Sequence, residues 1–125
     1  MSKTTVIAVV DDDQSVREAL ANFLKSLGYG AVAFARAEDF LNSERRNVAC
    51  LIADVQMPGM TGPDLFDRLV ATGEPIPTIL ITAYPDHKDR FRALKNGVKC
   101  YLSKPFQEED LIACIASATG SPTDA

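Results

Sequence analysis

Asp11, Asp12, Asp54, Thr82 and Lys104 each stand at or just beyond the end of a short apolar run. Singly they have plain explanations. An aspartate after a strand often caps the next helix, as Asp13 is placed to do; threonine is common in strands, and lysine is usually solvated. As a set they point to chemistry. Carboxylates crowded at one place repel one another, raise one another's pKa values and destabilise a fold unless positive charge sits among them. Donors that are all oxygen, with no histidine or cysteine beside them, select a hard cation. A few carboxylates that leave positions for water and a phosphoryl oxygen suit Mg²⁺ better than Ca²⁺, with Mn²⁺ able to substitute. A lysine ammonium and a threonine hydroxyl flanking such a carboxylate are what a phosphoryl group needs, the metal and the lysine neutralising its oxygens and the hydroxyl donating a hydrogen bond. The residues read as a carboxylate that accepts phosphate.

Elements that end at one edge must position these groups. Five apolar runs, residues 6–10, 31–34, 50–53, 78–82 and 100–102, recur with longer amphipathic stretches between them, the alternation of an α/β domain. The runs at Val6, Cys50 and Thr78 are almost continuously apolar, as strands are when helices cover both faces of a parallel sheet. The run at Ala31 alternates small and large residues and suits a strand nearer an edge. Val16, Leu20, Phe23, Leu24 and Leu27 fall at helical spacing, with Ser15 and Glu18 forming a candidate capping box and Gly28 a stop. Leu65, Phe66, Leu69 and Val70 repeat the pattern after Pro63. Phe91, Leu94 and Val98 do so again, with Asn96-Gly97 as terminator, and Leu111, Ile112 and Ile115 form the last helix; a weaker helix spans 37–42. Right-handed crossovers then predict a single (βα)5 flavodoxin-like, doubly wound parallel sheet of strand order 2-1-3-4-5, with a crevice at the carboxyl ends of strands 1 and 3 where the winding reverses.

The 125 residues are 46% hydrophobic and 24% charged, enough for one core and too few for two ordinary domains. Residues 1–118 are expected to form the domain and 119–125 a short tail or the start of a linker, with the polar composition already solvated from residue 117. The longest unbroken apolar run, residues 6–10, is far below the roughly 20 residues that span a bilayer, so no membrane association is expected. A net charge of −4 lacks the positive field of nucleic-acid binders. Cys50, Cys100 and Cys114 match neither a zinc knuckle nor a redox CxxC pair, which predicts three buried structural thiols in a reducing cytoplasm.

Val9-Val10-Asp11-Asp12, the segment from Asp54-Val55-Gln56-Met57-Pro58 to Thr61-Gly62, Ile81-Thr82-Ala83 and Lys104-Pro105-Phe106 together resemble, in order and spacing, the receiver domain of two-component response regulators, the CheY-like superfamily. Within it the flavour is that of nitrogen-fixation regulator receivers, which precede a helix-turn-helix output domain. The resemblance implies that Asp54 is the phosphoacceptor for a sensor histidine kinase or histidine phosphotransfer protein. It also implies that Asp11, Asp12, Asp54 and the backbone carbonyl of Gln56 hold Mg²⁺, and that Lys104 pairs with phosphoryl oxygens. Thr82 and Tyr101 would be the switch, the ring moving into space that the threonine vacates, with Ala83, Tyr84 and Pro105 at the rim and a cis bond before Pro105. Such a chain is a phosphoacceptor switch controlling an output domain or partner, not a conventional enzyme. A homodimer through the fourth helix, fifth strand and fifth helix is a further expectation, using Lys88, Arg90, Arg92, Lys95 and Lys99 against Glu108, Glu109 and Asp110.

Tyr84, where many receivers have a small or polar residue, and Gln56 are placed to flank the path of a hydrolytic water. His87, the only histidine, reads as an exposed loop residue, and Met57 and Met60 as packing or partner-facing. Two other classes share the strand-end aspartates or the fold. A haloacid dehalogenase-type phosphohydrolase would use Asp11 as nucleophile but has no cap domain here. A flavodoxin-like cofactor binder would need Gly, Ser or Thr where Asp11, Asp12 and Asp13 repel a phosphate.

Overall fold

Continuous Val, Ile and Leu runs become strands, and the amphipathic stretches between them become helices. The computed structural model describes residues 4–120, in the order β1 (Val6–Val10), α1 (Gln14–Ser26), β2 (Gly30–Phe34), α2 (Ala37–Leu41), β3 (Val48–Asp54), α3 (Gly62–Ala71), β4 (Thr78–Thr82), α4 (His87–Asn96), β5 (Cys100–Ser103) and α5 (Glu108–Thr119). All strand pairs are parallel and the order is β2-β1-β3-β4-β5, as the crossover rule predicts.

Alternate side chains of a strand point to opposite faces, so the continuous runs feed two cores. Ala8, Val10, Leu51, Ala53 and Leu80 face Phe40, Leu65, Phe66 and Leu69 from α2 and α3. Ile7, Val9, Ile52, Ile79 and Ile81 face Leu20 and Leu24 of α1 and Leu111 and Ile115 of α5. β2 lies at the sheet edge and has no fully buried residue, with Val32 and Ala33 exposed, as expected for a strand nearer an edge.

Local signals set most boundaries. Asp13 caps α1, its carboxylate accepting from the backbone N–H of Ser15 and Val16. The expected Ser15–Glu18 box does not form, because α1 already starts at Gln14, with Asp13 as its cap taking the Ser15 N–H, while Glu18 accepts from the Gln14 side-chain amide at 2.9 Å. The capping box is at α3, between Thr61 and Asp64, with Pro63 in the first turn. Gly97 ends α4 at φ 113°, a left-handed conformation that side-chain-bearing residues resist. α5 runs to Thr119, with Ala118 buried, so Ser117, Ala118 and Thr119, whose composition reads as already solvated, belong to the helix. Residues 121–125 of that tail lie outside the described residues.

Three apolar expectations are corrected. Phe91 is 70% exposed, and Val70 and Leu94 are exposed too; α3 and α4 press onto the sheet through Leu65, Phe66, Leu69 and Ala93, which turns those three outward. Val98 is buried but lies beyond the end of α4. Cys100 and Cys114 form a disulfide rather than two thiols, since the β5–α5 crossover brings their Cα atoms to 6.1 Å across 14 residues of sequence. Cys50 keeps its thiol, which burial pushes up to about 12. Among the described residues, no helix is long and apolar enough to cross a membrane.

Candidate functional site

The parallel registers Val10 with Ala53, Asp54 with Ile81 and Thr82 with Ser103 bring four strand ends to one edge of the sheet. Asp11 continues from β1, tied to β2 by its N–H on the Phe34 carbonyl at 3.1 Å. Its side chain is fully buried. One carboxylate oxygen accepts from the Asp13 N–H at 2.9 Å, and the other meets Lys104 Nζ at 3.2 Å. Lys104 also reaches Asp54 Oδ1 at 3.6 Å, so one ammonium bridges two buried carboxylates. It is carried there by a backbone hydrogen bond from its N–H to the Thr82 carbonyl at 2.7 Å, and the bond to Pro105 is cis, as expected.

Asp12 is exposed at the mouth, and one oxygen from each of Asp11, Asp12 and Asp54 lies within 4.8 Å of the others. Burial raises the pKa of Asp54, the charge of Asp11 adds to the rise, Lys104 opposes it, and Asp12 adds a little more. An all-oxygen set of this compactness, with one carboxylate destabilised by its neighbours, fits a hard divalent cation such as Mg²⁺.

Gly62 permits the close return of the chain after Asp54. A Cβ there would stand 2.5 Å from the Asp54 carbonyl oxygen and 3.0 Å from Leu80 Cδ2, so any side chain displaces the backbone that aims the carboxylate. Thr82 ends β4 fully buried. Its hydroxyl donates to Gln56 Oε1 at 2.7 Å and accepts from the Tyr84 N–H at 3.0 Å. Tyr101 of β5 is buried in the core that holds Phe66, Leu80 and Ala93. Its hydroxyl makes no well-formed hydrogen bond among the described residues. Burial raises its pKa, the Asp86 backbone easing the shift and the charges of Asp89 and Asp86 adding to it.

Asp11, Asp12, Asp54 and Lys104 are thus brought together, and Thr82 and Gln56 join one another beside them. Ala83, Tyr84 and Pro105 are exposed rim residues, His87 is exposed, and Met57 is packed in the core. Two participants were not anticipated in these roles. Arg17 donates from Nη1 to the Asp11 carbonyl at 2.8 Å; its signal is a cation in the first turn of α1, against the helix dipole, where a nearby anionic site repays the cost. The side-chain amide of Gln56 binds Thr82 across 26 residues, and no local pattern announces that.

A family model described as the response regulator receiver domain matches residues 7–116. The chain is 39% identical over 117 residues to the response regulator protein TodT of Pseudomonas putida strain F1, covering 93% of this chain and 52% of the relative. It is 36% identical over 113 residues to the transcriptional regulatory protein FixJ of Bradyrhizobium diazoefficiens, covering 90% and 55%. The chain therefore spans about half the length of these relatives. The crystal structure of FixJ-N superposes with a TM-score of 0.86 at 31% identity, covering 97% of this chain and 98% of that one.

Proposed function

The chain belongs to the response regulator receiver domain family, signalling modules of two-component systems, and from that premise we propose that Asp54 is its phosphoacceptor. The observation that carries this is the bridge of Lys104 between Asp11 and Asp54, with Asp12 completing a compact acidic set. The Asp54 carboxylate attacks the phosphorus of a phosphohistidine on a sensor kinase or histidine phosphotransfer protein. An O–P bond forms as the P–N bond breaks, and the imidazole leaves and takes a proton from solvent. Asp11, Asp12, Asp54 and the Gln56 backbone carbonyl would hold Mg²⁺, which supplies positive charge to the phosphoryl oxygens when bound; Mn²⁺ can substitute. Lys104 supplies charge from the opposite side, and its hold on Asp54 is released to the incoming group. Thr82 donates to a phosphoryl oxygen, and Tyr101 reports that placement to the surface of β5. The phosphohydrolase alternative asks Asp11 to attack, but both of its carboxylate oxygens are engaged and the side chain is buried.

The domain assigned to residues 1–118, with Thr119 closing α5, is proposed to act as the switch that controls an output domain or a partner. An apolar groove of Val16, Leu20, Phe23 and Phe106 opens beside Lys104 and offers the phosphodonor a surface next to Asp54. Exposed Phe91 and Leu94, with Lys95 Nζ 5.9 Å from the Phe91 ring centre, give α4, β5 and α5 a face for a second phosphorylated copy. Neither a membrane nor a nucleic acid is proposed as a partner of this domain, and its proposed place of action is the cytoplasm.

Incubation with acetyl phosphate and Mg²⁺, followed by intact mass and peptide mapping, tests the reading. One labile phosphoryl group on Asp54, absent in Asp54→Asn and in chelator, is expected. An adduct on Asp11, or none, overturns it.

A further inference from the structure

Thr82 has a single hydroxyl proton, and in this structure that proton goes to Gln56 Oε1 at 2.7 Å while the Tyr84 N–H occupies a lone pair at 3.0 Å. The hydroxyl is fully buried, so losing the Gln56 acceptor leaves a buried donor without a partner. At the same time Tyr101 is only 6% exposed, with its hydroxyl in no well-formed hydrogen bond among the described residues. The Asp86 backbone is the polar group nearest to satisfying that hydroxyl, and it makes no well-formed hydrogen bond with it. The ring is held chiefly by packing in the core that contains Phe66, Leu80 and Ala93. We propose that the Gln56 side chain is a positioning residue that holds Thr82 by its hydroxyl in the unphosphorylated chain and thereby keeps room for the inward Tyr101 ring.

This rests on the proposed reading of Thr82 as the donor to a phosphoryl group on Asp54 and of Tyr101 as the ring that follows its position. Gln56 lies two residues beyond Asp54, so its amide oxygen and a phosphoryl oxygen compete for the same proton. Phosphorylation then exchanges one acceptor for another instead of creating the hydrogen bond from nothing. A ligand shifts a two-state equilibrium only by its differential affinity, and here part of that difference is already supplied from within. The resting chain is biased toward its switched arrangement, and the response to phosphate is correspondingly compressed.

Gln56 is exposed, so substitutions there leave the core intact. The chain has three tyrosines and no tryptophan, and 3-fluorotyrosine labelling with Tyr29→Phe and Tyr84→Phe assigns the Tyr101 fluorine resonance. Its protection from a soluble paramagnetic agent, without any phosphate mimic, is the readout. Wild type is expected to show a protected ring. Gln56→Leu should lower the inward-to-outward ratio about fivefold, the size that one net hydrogen bond carries. Gln56→Glu, which keeps an acceptor at the same reach, should restore protection, and in a Thr82→Val background Gln56→Leu should have no further effect. Beryllofluoride with Mg²⁺ should return the Gln56→Leu ring to the protected state. Equal protection in wild type and Gln56→Leu overturns the inference. Absence of an acetyl phosphate adduct on Asp54 overturns the phosphoacceptor reading instead, because the Tyr101 comparison is made without phosphate.

Discussion

The acidic crevice and the α4 face invert the usual distribution of side chains, in opposite senses. The crevice buries charge. Asp11 and Asp54 are removed from water and each is matched to Lys104, while Arg17 and the Asp13 N–H complete the ties to Asp11. The α4 face exposes apolar surface: Phe91 and Leu94 stand in solvent among Lys88, Arg92 and Lys95, and Ala93 alone of the helix is buried. Buried charge carries a desolvation penalty that only matched partners offset, so changes in the crevice propagate into chemistry and stability together. An exposed apolar face carries little folding energy, so changes there should act on association alone. On the proposed reading, the crevice is where the switch is set and the α4 face is where it is received.

The largest effect should come from Asp54→Asn, which removes all labile phosphorylation while raising stability at neutral pH. Its folded pKa lies above the ordinary value of 3.8, chiefly through burial. The folded state therefore binds the proton more tightly than the unfolded chain, and wild-type stability falls as pH rises through the folded value. Denaturant unfolding should find the variant more stable at pH 7, with the gain disappearing below the ordinary carboxylate range; a gain that persists there would break the account of the crevice as electrostatically loaded. Added Mg²⁺ should stabilise wild type more than the variant.

Next in size is the Cys100–Cys114 disulfide. It closes 14 residues, and on loop entropy its reduction should cost about 3 kcal/mol, a fall in Tm on the order of 10 °C. Calorimetry with and without reductant measures it, and thiol labelling should find Cys50 unreactive in the native state because burial keeps its pKa near 12. Gly62→Ala should be smaller, about 1–3 kcal/mol, and should also slow phosphorylation by acetyl phosphate, because the new Cβ meets the Asp54 carbonyl. A loss of stability without a loss of rate would show that Gly62 supports the fold and not the aim of Asp54. Smallest is Phe91→Ser, expected to change stability by about 0.5 kcal/mol or less while removing any mass increase that beryllofluoride produces in sedimentation. A large destabilisation would mean that the α4 face belongs to the core and would end the contrast.

Local patterns made most of the fold legible. Continuous apolar runs placed β1, β3 and β4, the alternation at Ala31 placed β2 at an edge, and Asp13, Pro63 and Gly97 marked helix ends as read. The same logic located Asp11, Asp54, Thr82 and Lys104 at one edge, because a parallel sheet with right-handed crossovers puts every strand's carboxyl end on the same side. Helical periodicity misled at Phe91 and Leu94, since period alone reports an apolar stripe and not whether anything covers it.

The sequence by itself determined the alternation of elements, the sheet order and the set of polar groups at the strand ends, because these follow from periods of a few residues and from the handedness of the chain. Only the tertiary structure decided that Cys100 pairs with Cys114, that Lys104 bridges Asp11 to Asp54, that Gln56 takes the Thr82 proton, and that α4 turns Phe91 outward. Each of these depends on distances between residues remote in sequence or on which face of a helix its neighbours leave uncovered, and such distances are set by the packing of two cores on one twisted sheet rather than by any local spacing.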